Sequence, residues 1–227
     1  MVSSPFTFLV QDIIDELPTV RRYRFDYGLT PMEFYAGQFC VVVLPGSSPP
    51  LTGALSLATS PLRRESFDLV VKRTGNFGTR FYDSVKAGDV VTMKPPAGTF
   101  VLPSNSSQPV ILVAFDYCVT AVRAIWQYLE DIQDSRRVHF LHVVRGSEPN
   151  LFSNEFSESS SPHRTYLPIA LSTGSSSIRV EEIQSRIPDY FQHQLFVVGE
   201  GTEVIPLMTE LKAVGFPKDF LHVERWS

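Results

Sequence analysis

What this 227-residue chain has little of narrows its class first. It has two cysteines, Cys40 and Cys118, in no metal-binding or redox spacing. A disulfide framework is therefore not expected, and a reducing, cytoplasmic setting is. Charged residues make up 19% of the chain and the formal net charge is −4. Without a basic excess, neither nucleic acid nor an anionic membrane is an expected partner. No run approaches the roughly 20 uninterrupted apolar residues that cross a bilayer. The opening segment, MVSSPFTFLVQDIIDEL, has no basic stretch and meets acids early, unlike an export signal. On that reading the sequon at Asn105 carries no expected glycan. There is no Walker loop and no G-x-S-x-G nucleophile turn. His139 and His142, three apart on a strand, point to opposite faces, and His163, His193 and His222 are scattered, so no metal site is expected.

What is present is apolar content of 43%, ample for burial, on a length that suits two domains of about 100 residues each. The pattern changes near residue 104. Before it, short runs rich in Val, Phe and Thr (FTFLVQDII, TVRRYRFDY, QFCVVVLPG, FDLVVKR, DVVTMKPP) alternate with turn residues. That rhythm predicts a small antiparallel β-barrel or sandwich over 1–103. One helix is predicted within it, TRFYDSVKAG, with Phe81 and Val85 on one face and Gly88 as a stop. PSNSSQP reads as a linker, with the boundary between domains over 104–109. From 110 to 227 strands and helices alternate: PVILVAF, YCVTAVRAIWQYLEDI, RRVHFLHVV, TYLPIALST, VEEIQSRI, QLFVVG and EVIPLMTELKAVG. This predicts an α/β domain with a doubly wound parallel sheet. In such sheets ligands lie beyond the carboxyl ends of the strands at the switch point, here the turns after Ala114 and Gly199.

Local sequence in this order resembles the ferredoxin–NADP reductase family over nearly the whole chain. AGQFCVVVLPG is similar to the family's P-G-Q-[FY] strand, and LSLATSP to the end of its R-x-Y-S-[LI]-A-[ST]-[ST]-P signature. FDLVVKRTGNFGTRFYDSVKAGDVVTMKPPAGTFVL resembles the strand, helix and K-x-G-D…P-x-G-x-F segment that follow. VVRGSEPNLFSNEF and the closing HVERW also resemble family segments. The resemblance implies an FAD-binding barrel, an NAD(P)-binding domain, and hydride transfer from nicotinamide to flavin before electron transfer to a partner.

Mapped residue by residue, the implied sites are altered. The signature's phosphate-binding arginine is Gly53 and its ring-stacking tyrosine is Leu55, while its serine is kept as Ser56. Arg63, Arg64 and Arg80 are the nearest substitute cations, each also readable as a solvated side chain. Gly78 and Thr79 fall at the family's second phosphate contact, where Thr79 is equally readable as a helix cap. Trp226 takes the place of the terminal aromatic that covers the flavin in some relatives, or is a packed tryptophan. The nucleotide loop G-G-T-G-[IV]-[TA]-P maps onto Phe115, Asp116, Tyr117, Cys118, Val119, Thr120 and Ala121, with every glycine gone. Asp116 is read as an N-cap of the following helix, and Cys118 as either a reactive or a buried thiol. The family's C-G-x-x-x-M turn becomes Val198, Gly199, Glu200, Gly201, Thr202 and Glu203. With Asp116, Glu200 and Glu203 in the crevice, orthodox NAD(P)H binding is not expected, though FAD or FMN is still admitted. The expected function is a ferredoxin reductase-like protein without orthodox hydride transfer, acting as a binding or assembly subunit or on another ligand. The alternative is a working flavin-dependent NAD(P)H oxidoreductase with non-standard cofactor contacts. A protein partner suits both.

Overall fold

The structure, a computed structural model, describes residues 5–28, 32–44, 49–104, 106–146 and 150–226. Asn105, the sequon residue, lies outside them. The chain divides into two compact units. One runs to Leu102 and includes Arg123–Ile132; the other takes Pro103–Val122 and everything from Gln133 on.

The first unit is built on six strands: β1 (Phe6–Leu17), β2 (Val20–Asp26), β3 (Phe39–Leu44), β4 (Leu51–Ser56), β5 (Ser66–Lys72) and β6 (Val90–Met93). They form one antiparallel sheet in the order β4-β3-β6-β1-β2-β5. Period-two alternation drives it: in β2, Val20, Tyr23 and Phe25 are buried, and β3 buries Cys40, Val42 and Leu44. β1 changes register twice against β2, between Val10 and Asp12 and between Asp15 and Leu17. Such irregularities bend a strand.

Helix α1 (Gly75–Ser84) starts four residues earlier than the sequence pattern predicts. Two glycines in its first turn and a half are poor helix formers. Tertiary packing overrides them, because the rings of Phe77 and Phe81, one turn apart, pack at a tilt with centroids 5.6 Å apart and Phe81 is fully buried. Gly78 is required by proximity. A Cβ there would come within 2.4 Å of the Lys72 carbonyl oxygen at the end of β5. Val85 follows as the C-cap, its N–H donating to the Phe81 carbonyl at 3.0 Å.

The second unit carries β7 (Val110–Phe115), β8 (Val138–Val144), β9 (Arg164–Ala170), β10 (Gln194–Glu200) and β11 (Leu221–Trp226). Their order is β11-β10-β7-β8-β9, parallel throughout. Between them lie α2 (Thr120–Asp131), α3 (Ser153–Ser157), α4 (Val180–Arg186) and α5 (Gly201–Ala213). β7 is buried at all six positions, as expected of a central strand covered on both faces. Ile111, Val113 and Phe115 share one core with Val180 and Ile183 of α4 and Val204, Leu207 and Leu211 of α5. The chain leaves β7 for β8 on one side and returns to β10 on the other, so the switch point lies between β7 and β10 as the sequence predicts.

From Arg123 onward α2 groups with the first unit, and polar side chains explain why. Arg123 Nη1 donates to the Ala58 carbonyl at 2.8 Å, Gln127 Oε1 accepts from the Ser60 N–H at 3.1 Å, and Asp131 pairs with Arg63 at 3.2 Å. Beside them Asp68 of β5 is buried, with Arg24 at 3.1 Å and Arg22 and Arg123 each at 3.2 Å. Burial alone pushes the Asp68 carboxyl up. The positive charges of Arg123 and Arg22 and the hydrogen bond from Arg24 outweigh it and hold the pKa below the ordinary carboxylate range.

Asp68→Asn should lower stability by about 3–5 kcal/mol near neutral pH, since it leaves buried guanidiniums without their anion. Because the folded pKa is depressed, the carboxylate's contribution is present above the ordinary value near 4 and is lost as pH falls through the lower folded one. Urea denaturation at pH 7 and pH 3 should therefore show a gap between wild type and variant that narrows only in acid.

Candidate functional site

The signature strand β4 alternates strictly. Leu51, Gly53 and Leu55 lie on one face, and Thr52, Ala54 and Ser56 on the other. Leu51, Leu55 and Phe77 are partly buried against the core of the first unit. A Cβ built on Gly53 would lie 2.2 Å from Cδ1 of the Phe77 ring. The benzyl side chain of α1 therefore occupies the place that a side chain at position 53 would need. Gly53 follows from that packing, a reason the sequence did not reveal.

Ser56 points the other way and is buried, and its Oγ finds no hydrogen-bond partner among the described residues. A buried hydroxyl left unsatisfied costs about 1–3 kcal/mol, so this atom is suited to a ligand that would satisfy it. The residues thus fit a contact to a flavin ring through Ser56, and not the arginine clamp of its phosphate; Leu55, expected as a second flavin contact, lies on the opposite face of β4, packed against the core.

Thr79 corrects an expectation. The N-cap of α1 is Thr74, so Thr79 lies in the second turn and caps nothing. Gly78 is accounted for by its approach to Lys72. Thr74 makes no side-chain cap bond, and there is no acid in the first turn. Arg80 is exposed on the same helix, while Arg63 is paired with Asp131.

At the carboxyl ends of β7, β8 and β10 the second unit builds a continuous polar network. Asp116 is not the N-cap of α2: it opens a 3₁₀ turn over 116–119 that precedes the helix, with φ +46°. Aspartate is among the few residues besides glycine that tolerate this left-handed geometry, so it can stand where the family has glycine. Its carboxylate accepts from the Arg145 N–H at 2.9 Å and pairs with the Arg145 guanidinium at 3.4 Å. Its carbonyl lies 2.9 Å from Nε2 of His142, whose Nδ1 is 3.0 Å from the Tyr166 hydroxyl. Burial pushes the His142 pKa down, so the ring is neutral, with one nitrogen donating to the Asp116 carbonyl and the other accepting from Tyr166.

Arg145 also pairs with Glu203. Glu203 is buried and its Oε2 accepts from the Glu200 N–H at 2.7 Å, one arm of a capping box on α5. Burial pushes Glu203 up, and the Glu200 N–H and Arg145 pull the other way without cancelling the shift. Glu200 in turn accepts from the Tyr117 hydroxyl, whose pKa is raised by burial and by that bond. A Cβ on Gly199 would meet both Glu203 Oε2 and Phe115 Cδ2 at 2.8 Å, so these two side chains fill the space over it. The acids read from sequence as repelling a dinucleotide are thus largely engaged internally. Arg145, unassigned from sequence, pairs with two of them and offsets one of their charges. Cys118 is buried, as is Cys40, whose thiol burial pushes up to about 12.

Trp226 ends β11, partly exposed. Two residues before it, Glu224 was missed by the sequence reading. It pairs in register with Val198 of β10, its Oε2 is buried without a partner, and burial pushes its pKa up to about 7. Only the position of HVERW at the end of the chain's resemblance hinted at it. Among the described residues no three His, Cys, Asp or Glu side chains group as metal ligands, and no helix is long and apolar enough to cross a membrane.

A six-stranded antiparallel sheet joined to a five-stranded doubly wound parallel one is the two-domain fold of flavin reductases. Comparison bears this out. The cytochrome P450 reductase GcoB of Amycolatopsis superposes over 98% of this chain and 69% of its own, with TM-score 0.84 and 21% identity. The ferredoxin-NADP+ reductase of Plasmodium falciparum superposes over 100% and 98%, with TM-score 0.81 and 15% identity. In sequence, ferredoxin–NADP reductase B of Sorangium cellulosum is 26% identical over 210 residues, 86% of each chain. Flavohemoprotein A of Dictyostelium discoideum is 24% identical over 152 residues, 66% of this chain and 38% of its own. The chain covers less than half the length of the flavohemoproteins and the phenol 2-monooxygenase reductase component that it also matches. No family model matches. In fold and sequence the chain is ferredoxin–NADP reductase-like.

Two measurements check this geometry. Gly53→Ala should cost about 1–3 kcal/mol by forcing the Phe77 ring aside, and in a Phe77→Ala background that cost should largely vanish, a coupling read by denaturant titration. Glu224 has a raised folded pKa, so its protonated form supports the fold. That support is complete below the ordinary value near 4.5 and is lost as pH rises through about 7. Glu224→Gln should therefore raise Tm on the order of 5 °C at pH 8 and leave it unchanged at pH 4.

Proposed function

We propose that this chain is a flavin-dependent oxidoreductase of the ferredoxin–NADP reductase type that holds its flavin by non-standard contacts. The observation that carries this is the buried, unsatisfied Ser56 hydroxyl, the one kept among the signature's three ligand-contacting positions. The likeness in fold over the whole chain and the reductase names of the matched relatives support it.

When bound, flavin accepts hydride from a nicotinamide and passes electrons on singly. The protein's part is to hold and orient it. Ser56 would donate to or accept from the ring system, and the N–H groups at the start of α1, which Thr74 does not cap, would meet the phosphate in place of an arginine. NAD(P)H is the proposed electron donor, entering at the switch point between β7 and β10. There Arg145 balances Asp116 and Glu203, which lessens the repulsion of a phosphate. Several matched relatives are reductase components of oxygenases, which supports an electron-accepting protein partner.

A second reading is favoured by one feature. Asp116 holds the turn where the family's loop has glycine, and Phe115 and Glu203 fill the space over Gly199. On this reading the crevice no longer takes a nicotinamide, and the chain is a binding or assembly subunit.

Purified protein incubated with FAD or FMN and then desalted should keep a flavin absorption band, and NADH or NADPH should bleach it under anaerobic conditions. A retained but unbleached band would select the second reading, and a colourless protein would overturn the first. Ser56→Ala should weaken flavin binding about 5- to 10-fold while leaving stability unchanged or slightly higher, since it deletes an unsatisfied hydroxyl. Fluorescence titration and thermal melting separate the two effects.

A further inference from the structure

The polar cluster around Asp68 borders a cavity of about 440 Å³ in the first unit, within the size range of small-molecule sites. Its wall carries four guanidiniums, those of Arg24, Arg63, Arg64 and Arg123, against two carboxylates, Glu65 and Asp68. Asp131, which pairs with Arg63, brings the carboxylates to three, and on a chain whose net charge is −4 the remaining excess of one positive charge around the cavity is a local inversion of sign.

The carboxylates do not offset it. Asp68 is shared among Arg24, Arg22 and Arg123, and Arg22 also pairs with Glu16. Arg63 is paired outward, to Asp131. Arg64 makes no ion pair among the described residues and is exposed at the rim. Arg123, by contrast, is 6% exposed and fixed by the Ala58 carbonyl and Asp68, so one cation at the base of the site is preorganised. Thr59 accepts the Asp68 N–H at 2.8 Å, which leaves its hydroxyl proton to donate.

A guanidinium offers five N–H donors in a planar fork that matches phosphate and carboxylate oxygens. No aromatic or aliphatic side chain lines the wall, so nothing there would stack on a base or bury a hydrocarbon. We propose that this cavity is a binding site for a compact polyanion, a small polar molecule carrying two or more phosphate or carboxylate groups. No residue of β4 is among its lining, and the proposal does not depend on flavin.

The test is calorimetric titration of the full chain with inorganic pyrophosphate and with citrate at low ionic strength. Saturable binding with Kd below about 1 mM is expected for at least one of them, and the stronger of the two tells a phosphorylated ligand from a polycarboxylate. Arg63→Gln/Arg64→Gln removes two exposed side chains, so folding should persist, and it should weaken binding about tenfold or more. Arg186→Gln, on α4 of the second unit, should change nothing. Absence of binding to either anion would overturn the proposal, as would affinity that survives the double substitution or falls equally with Arg186→Gln.

Discussion

Asp68 is a carboxylate with almost no exposure to water, and three guanidiniums converge on it from β2 and α2. An isolated charge could not be held there. Its desolvation would cost several kcal/mol, and the group would take up a proton instead. The arginines reverse that balance, and in doing so they tie β5, β2 and the middle of α2 to one point. Thr59 anchors the Asp68 N–H and Arg123 anchors the Ala58 carbonyl, so the segment leaving β4 is fixed by the same group. The position of the signature strand, with Gly53, Leu55 and Ser56 on it, therefore depends on an ion cluster rather than on apolar packing alone.

The switch point of the second unit is organised by a comparable device built on a different cation. A glycine-rich loop works by absence, leaving backbone N–H groups open to an anion. Here side chains occupy that region and satisfy one another: His142 holds the Asp116 carbonyl, Arg145 holds Asp116 and Glu203, and Glu203 holds the Glu200 N–H. The left-handed geometry of the turn is kept by Asp116 although the glycine is not. The fold aligns with reductases at identities of 15–21% although the glycines expected of this loop are absent.

On the proposed reading, the signature strand has a kept and a replaced half. The hydroxyl of Ser56 is kept, buried and unsatisfied, whereas the arginine position has become part of an apolar contact between β4 and α1. An arginine at position 53 and the Phe77 ring could not coexist there, because the ring takes the volume that any Cβ would need.

The amino-acid sequence by itself determined the two-part architecture. Period-two runs before residue 104 and strand–helix alternation after it are local patterns that survive in any compact fold, and the switch point follows from them. The strands and the order of parts were legible for that reason, as was the replacement of Gly53, Leu55 and the loop at 115–118. The start of α1 was not, since glycines that argue against a helix were overruled by Phe77 and Phe81 packing inward. Nor were the roles of Asp116, Arg145, Glu224 and Asp68 legible, because each is defined by partners many residues away. Charge read along a chain gives a sum; only the fold decides which charges meet, which are buried, and which are left to bind something else.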